Sequence, residues 1–268
     1  KEKNLIITES ASFIENNGLA DIDYALPVSS IQKGMLYYSL LNTSDSVYHD
    51  QFAYQLYIKD FSFEKFAKAF ELLVERHLIL RASFNVTDYP EDIMFIHNRV
   101  SQLFDFEDLS KSAPAEVIDK VSSYISAERE KEFNLSVPPL WRLKVFTCPG
   151  SMVILCWSFH HALLDGWSNS LLITELLGIY NNYNTGIKAS TLLTSDSYIN
   201  YLAEQQIIIR DTEAQEFWKK ELDDYKFLEL PANTNTADNM PVEEYYLNLS
   251  SVLTGKLKNT AAELNTDL

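Results

Sequence analysis

Two adjacent histidines, His160 and His161, with Asp165 four residues after the second, are the side chains of this sequence whose types and spacing suggest chemistry. An imidazole, with an intrinsic pKa of about 6.5, can take a proton from an amine or hold a reacting group by a hydrogen bond at neutral pH. The pair closes an apolar run, Met152 to Phe159, rich in β-branched and aromatic residues and preceded by the turn pair Pro149-Gly150. That pattern predicts a strand buried on both faces. Side chains alternate along a strand, so the two imidazoles point to opposite sides. Val153, Leu155, Trp157 and Phe159 share a face with His161, and Met152, Ile154, Cys156 and Ser158 share one with His160. Only one histidine is therefore free to react. Gly166 follows, able to take backbone angles a side chain would forbid, and Ser168 stands where it can cap a helix. The stretch reads as strand, sharp turn, helix.

Other chemistries are less well served. Diverging neighbours on a strand do not readily share a zinc ion with Asp165. There is no GxSxG nucleophile elbow, and neither GxGxxG nor a P-loop implies a nucleotide. Cys148 falls at the expected turn and Cys156 inside the strand, out of register for a disulfide, and no CxxC or Cys/His zinc spacing exists; two reduced thiols follow.

The elements that must position the histidines can be read around them. Ser29 and Ser30 cap a helix with Ile31, Met35 and Tyr38 on one face. Asp50 to Ile58 alternates as a strand with Phe52, Tyr54, Leu56 and Ile58 on one side. Ser62 caps a helix whose stripe Phe63, Phe66, Phe70, Leu73 and Val74 belongs to the core. Phe84–Val86 and Met94–His97 form a short hairpin, residues 113–132 a polar helix, and residues 140–146 the strand that pairs with the apolar run. Helices follow over 169–180 and near 216–222, a connector over 231–241, a strand over 244–249, and a last helix capped by Ser250 or Ser251. Strands and helices mix throughout, so the fold class is α/β or α+β.

Composition narrows the function classes. A net charge of −16 argues against nucleic acid and anionic membranes, which need clustered Lys and Arg. The longest apolar runs fall short of the roughly 20 residues of a membrane helix. The N-terminal KEKNLIITES lacks a signal-peptide core, so a cytoplasmic location is expected.

The sequence His160-His161-Ala162-Leu163-Leu164-Asp165-Gly166 matches HHxxxDG. It resembles the motif of condensation domains of nonribosomal peptide synthetases, within the superfamily resembling chloramphenicol acetyltransferase. Further blocks corroborate it. Leu26-Pro27 and Gln32-Lys33-Gly34-Met35-Leu36 are similar to the family's first block, in a form closer to domains taking D-configured donors. Arg76-His77-Leu78-Ile79-Leu80-Arg81-Ala82-Ser83-Phe84 resembles RHxxLRTxF with Ala82 in place of Thr. Phe133-Asn134-Leu135 with Pro139-Leu140-Trp141-Arg142 resembles FDL and PLxR, with Asn134 in place of Asp. Asp196 to Tyr201 is loosely similar to YxDY, and Glu216 to Leu222 to YWxxxL.

The resemblance implies a two-layer sandwich lobe of chloramphenicol acetyltransferase type. Residues 1–18 are expected as a linker, 19–185 as the N-terminal lobe and 186–268 as the beginning of a second lobe, since no IGxFVNT-like block is present. It implies amide formation between a donor acyl or peptidyl thioester and the amine of an acceptor aminoacyl thioester. Both arrive on phosphopantetheine arms of upstream and downstream peptidyl carrier proteins within adjacent modules, and no cofactor is bound directly. His161 takes the ammonium proton, positions the amine or stabilises the tetrahedral species. The backbone N–H of Gly166 faces the developing oxyanion. His160 is structural and Asp165 is an orienting group, whose charge partner is left open between Arg76, Arg81 and an arginine of the missing lobe. A non-catalytic docking module of the same fold and an epimerisation domain are the alternatives.

Overall fold

The computed structural model describes residues 2–41, 47–101, 104–182, 197–226 and 247–266. The chain divides into two compact units, 1–218 and 219–268. In the first unit, β1 (Ile22–Pro27), β3 (Ala82–Asn85) and β4 (Ile93–His97) form an antiparallel sheet of order β1-β4-β3. The other sheet is built from β2 (His49–Tyr57), β5 (Asp105–Asp108), β6 (Trp141–Cys148) and β7 (Met152–His160), in the order β2-β7-β6-β5. The apolar run is thus an interior strand, antiparallel to both neighbours, while β5 joins β6 in parallel.

The β6–β7 hairpin turns through Pro149–Ser151, where Gly150 has a φ of 73° that suits glycine. Cys148 lies opposite Met152 and Cys156 opposite Lys144, and both thiols are free and buried. Burial pushes the Cys156 thiol up to about 12, so it is a poor nucleophile at neutral pH.

Both faces of β7 are covered. Val153, Leu155, Trp157 and Phe159 enter the main core with Phe66, Phe70 and Leu73 of α3 (Phe63–Arg76) and with Phe84, Met94 and Ile96 of the smaller sheet. Ile154 and Cys156 face the other way, onto Val117 of α4 (Pro114–Arg129) and Phe146. The alternation expected from sequence therefore sorts β7 into two cores. Ser62 caps α3 by accepting from the Lys65 N–H at 3.3 Å. The α3 stripe is buried except for Phe63, which stays on the rim.

Several elements depart from expectation. Residues expected as a lead-in form helix α1 (Glu2–Asn17), which has no apolar stripe and buries only Ile6 and Ser10. Its order is tertiary: Ser10 Oγ accepts from the Ala25 N–H at 2.8 Å and Phe13 packs edge-on against Tyr89 at 5.0 Å. Residues 197–210, for which the sequence pattern suggests no helix and the resemblance implies the second lobe, form helix α6 (Ser197–Arg210) and pack on α1 within the first unit, with Arg210 paired to Glu2 at 3.0 Å. Helix α2 (Ser30–Leu41) forms as read but turns a shifted face inward: Gln32 and Leu36 are buried and Met35 packs against the core, whereas Ile31 and Tyr38 are exposed.

Helix α5 (Gly166–Asn182) begins at the motif, and α7 (Thr212–Glu221) overlaps the expected 216–222 helix. In the second unit, α8 (Ser251–Glu263) starts at Ser250, which accepts from the Leu253 N–H at 3.3 Å. The 231–241 connector lies outside the described residues, as does the first half of the expected 244–249 strand, whose described residues 247–249 are irregular. Among the described residues no helix is long and apolar enough to cross a membrane.

Candidate active site

The motif sits where β7 ends against the first residues of β2. The His160 N–H donates to Leu140 O at 2.9 Å on one side, and the His161 N–H donates to Tyr48 O at 2.8 Å on the other. The chain then turns, with Leu163 N–H donating to His160 O at 2.9 Å, and enters α5. The two imidazoles part as strand geometry requires. His160 is buried at 4% exposure, whereas the His161 side chain is 33% exposed.

His160 is held at both nitrogens. Its Nδ1 accepts from the Ala162 N–H at 3.1 Å, so the neutral ring carries its proton on Nε2 and donates to Ser39 Oγ at 2.9 Å. Ser39 in turn donates to Met35 O at 3.0 Å. Burial, reinforced by His161 and His49, pulls the His160 pKa down from 6.5 to about 4. His49 pairs with His160 across the strands and is likewise lowered to about 4, by burial first and then by Arg142 and Arg129.

Both rings are neutral in the fold and would protonate near 6.5 in the unfolded chain, so their contribution to stability is present above pH 6.5 and is lost as pH falls towards 4. From His160 alone, unfolding free energy is expected to drop by about 2 kcal/mol between pH 7 and pH 5. Urea titrations at both pH values, repeated with His160→Gln, check this; an equal drop in the variant would refute the assignment.

Gln32 is a site residue whose role the sequence does not reveal. It completes a capping box at the start of α2: Gln32 Oε1 accepts from the Ser29 N–H at 3.0 Å, and Ser29 Oγ accepts from the Gln32 N–H at 3.3 Å. Its Nε2 donates to Ala162 O at 2.9 Å, tying α2 to the motif turn. These partners explain why a polar residue faces inward. Gln32→Leu, which leaves buried groups unpaired, is expected to cost roughly 1–3 kcal/mol in denaturant unfolding.

Asp165 is not paired with arginine. Its Oδ1 accepts from the Ser168 N–H at 2.7 Å, which makes Asp165 itself the cap of α5 and Ser168 the donor, the reverse of the expected capping. That bond holds its carboxyl below the usual carboxylate range. Arg76 pairs instead with Glu175 at 3.0 Å and so fastens α3 to α5. Arg81 is buried against Asp23 at 2.7 Å and also donates to His97 O. Both guanidiniums serve the scaffold. Gly166 takes ordinary helical backbone angles with open space where a Cβ would stand, so no forbidden torsion is at work there.

Sequence reading missed the partner of His161. Its Nδ1 is hydrogen-bonded to Asp50 Oδ2, and the Tyr48 ring stacks on it at 6.4 Å and 18°. The only signal was adjacency within Tyr48-His49-Asp50 at the start of a strand. Asn169, buried one turn into α5, donates to the Tyr54 hydroxyl at 2.7 Å and sets that helix against β2. A cavity of about 220 Å³ lies on the His160 side, lined by Ser39, Tyr48, His49, Phe133 and Leu135; His161 does not line it. Among the described residues no three His, Cys, Asp or Glu side chains converge as metal ligands.

Residues 23–268 match the condensation domain family. Bacitracin synthase 3 of Bacillus licheniformis is 34% identical over 164 residues, covering 60% of this chain and 2% of that protein. Bacitracin synthase 1 of the same organism is 28% identical over 247 residues, covering 90% of this chain and 5% of the relative. The chain thus spans only a few per cent of the length of these relatives. A double mutant of the starter condensation domain of the rhizomide synthetase RzmA shares the fold. Its TM-score is 0.66 at 17% identity, over 76% of this chain and 49% of that one.

Proposed function

The chain belongs to the condensation-domain family of nonribosomal peptide synthetases, and from that premise we propose that it takes part in amide formation between two carrier-bound thioesters. The observation that carries the reading is the contrast within the motif: His160 is sealed and bonded at both nitrogens, while His161 at the strand end keeps a third of its side chain open. In the proposed step the acceptor amine attacks the donor thioester carbonyl. The new C–N bond forms, His161 takes one amine proton, the C–S bond breaks, and the imidazolium returns that proton to the departing thiolate. Neither metal nor nucleotide is needed. Gly166, at the first position of α5, offers a backbone N–H to the developing oxyanion.

The partners in this reading are upstream and downstream carrier proteins bearing phosphopantetheine arms, within adjacent synthetase modules in the cytoplasm. The chain would supply the first lobe of the domain and part of the second.

Mass spectrometry of carrier-bound product tests this, with donor and acceptor aminoacyl carriers supplied to this chain and to a version extended through a second lobe. Amide product from either supports condensation; product from the extended version alone would make this chain half of an active site. No product from either, with carrier binding retained, would replace the reading with a docking module.

A further inference from the structure

The HHxxxDG motif contains its own aspartate, but Asp165 is engaged with the Ser168 N–H at the start of α5. The carboxylate on the His161 ring comes from β2, a different element 111 residues away in sequence. In the β2–β7 register Asp50 lies opposite Phe159. Directly opposed residues share a face, and so does the residue two further along, which places Asp50 and His161 on the same side as diagonal neighbours. β2 and its entry then hold the residue in three ways: the Tyr48 carbonyl takes the His161 backbone N–H and fixes the main chain, while the Tyr48 ring stacks on the imidazole and Asp50 Oδ2 meets Nδ1.

We propose that Asp50 is a positioning residue for His161, fixing the imidazole proton on Nδ1 so that Nε2 presents its lone pair to the acceptor amine. This rests on the condensation reading for its purpose, though not for its geometry. A carboxylate can only accept, so the nitrogen it meets must donate. The neutral ring then carries its one proton on Nδ1, and Nε2 becomes the acceptor. Nε2 has no hydrogen-bond partner among the described residues. The side chains of His161 and Asp50 are 33% and 32% exposed, so solvent alone would leave the ring free to turn and to place its proton on Nε2. A ring in that tautomer could not accept the amine proton at Nε2.

Nuclear magnetic resonance of the chain labelled with ¹⁵N-histidine tests the proposal. The chain has five histidines, and the His161 signals are those lost in His161→Ala. Long-range ¹H–¹⁵N spectra of the neutral ring are expected to show a protonated Nδ1 and a bare Nε2, with the pattern moving to protonated Nε2 in Asp50→Ala. A protonated Nε2 in the native chain, or an unchanged pattern in Asp50→Ala, would overturn it; the native spectrum decides even where the variant does not fold. In whichever form yields amide product, Asp50→Ala is expected to lower kcat by on the order of tenfold or more, with KM for the acceptor unchanged. An unaltered kcat would also overturn the proposal. Because the spectra need no carrier substrate, a failed tautomer test removes the Asp50 role alone. Absence of amide with the tautomer intact removes the condensation reading alone.

Discussion

His161→Ala is expected to cut carrier-bound amide product by on the order of 100-fold or more in the form of the protein that yields it. The fold should survive. The side chain is one-third exposed and its ring contacts lie at the strand end rather than within either core, so circular dichroism should give a melting midpoint within a few degrees of the parent. His160→Ala is expected to behave in the opposite way. It opens a void among buried residues and strands Ser39 and the Ala162 N–H, so stability falls first and activity follows it. The pair of variants separates chemistry from scaffold. An active, folded His161→Ala protein would remove the imidazole from the mechanism.

Arg142→Ala is expected to lower unfolding free energy by about 3–5 kcal/mol. Glu128, near the C-terminus of α4, is 1% exposed, and its Oε1 is bonded to Arg142 Nε from β6. Among the described residues only Lys131 Nζ, at 3.2 Å from Oε2 and itself well exposed, would remain as a cation paired with the carboxylate. The guanidinium also donates to Lys131 O at 2.7 Å and lies 3.8 Å over the Phe133 ring, which meets His160 edge-on. Removing it therefore strands a buried charge and loosens the segment that walls the His160 side. Guanidinium-chloride unfolding checks the size of the loss. Arg142→Met combined with Glu128→Met is expected to recover much of it, because the cost comes from the unpaired ion rather than from the missing contact. A double variant as unstable as the single one would refute that cause.

What the sequence reveals best is set by short-range geometry. The apolar run, the Pro149-Gly150 hairpin and the α3 stripe follow from periods of 2 and 3.6 residues, and each appears where it was read. Helix α1 was illegible because it has no stripe; its order comes from Ser10, Phe13 and Glu2 meeting other elements. The face of α2 was misread because apolar Ile31 and Tyr38 outrank Gln32 on any hydropathy pattern. Only the turn at Ala162 supplies the partner that lets the amide go inside.

The divergence of His160 and His161 was determined by sequence alone, because alternation along a strand is a property of the local backbone and holds wherever the strand is placed. Which carboxylate meets His161 was decided by the tertiary structure alone. Asp50 reaches the ring only because β2 pairs with β7 in one register, and a slip of one residue would turn it to the opposite face. The same holds for the arginines, whose partners Glu175 and Asp23 lie on other elements. Register and helix placement depend on burying the whole core at once, a condition spread over the fold and not visible in any single stretch of chain.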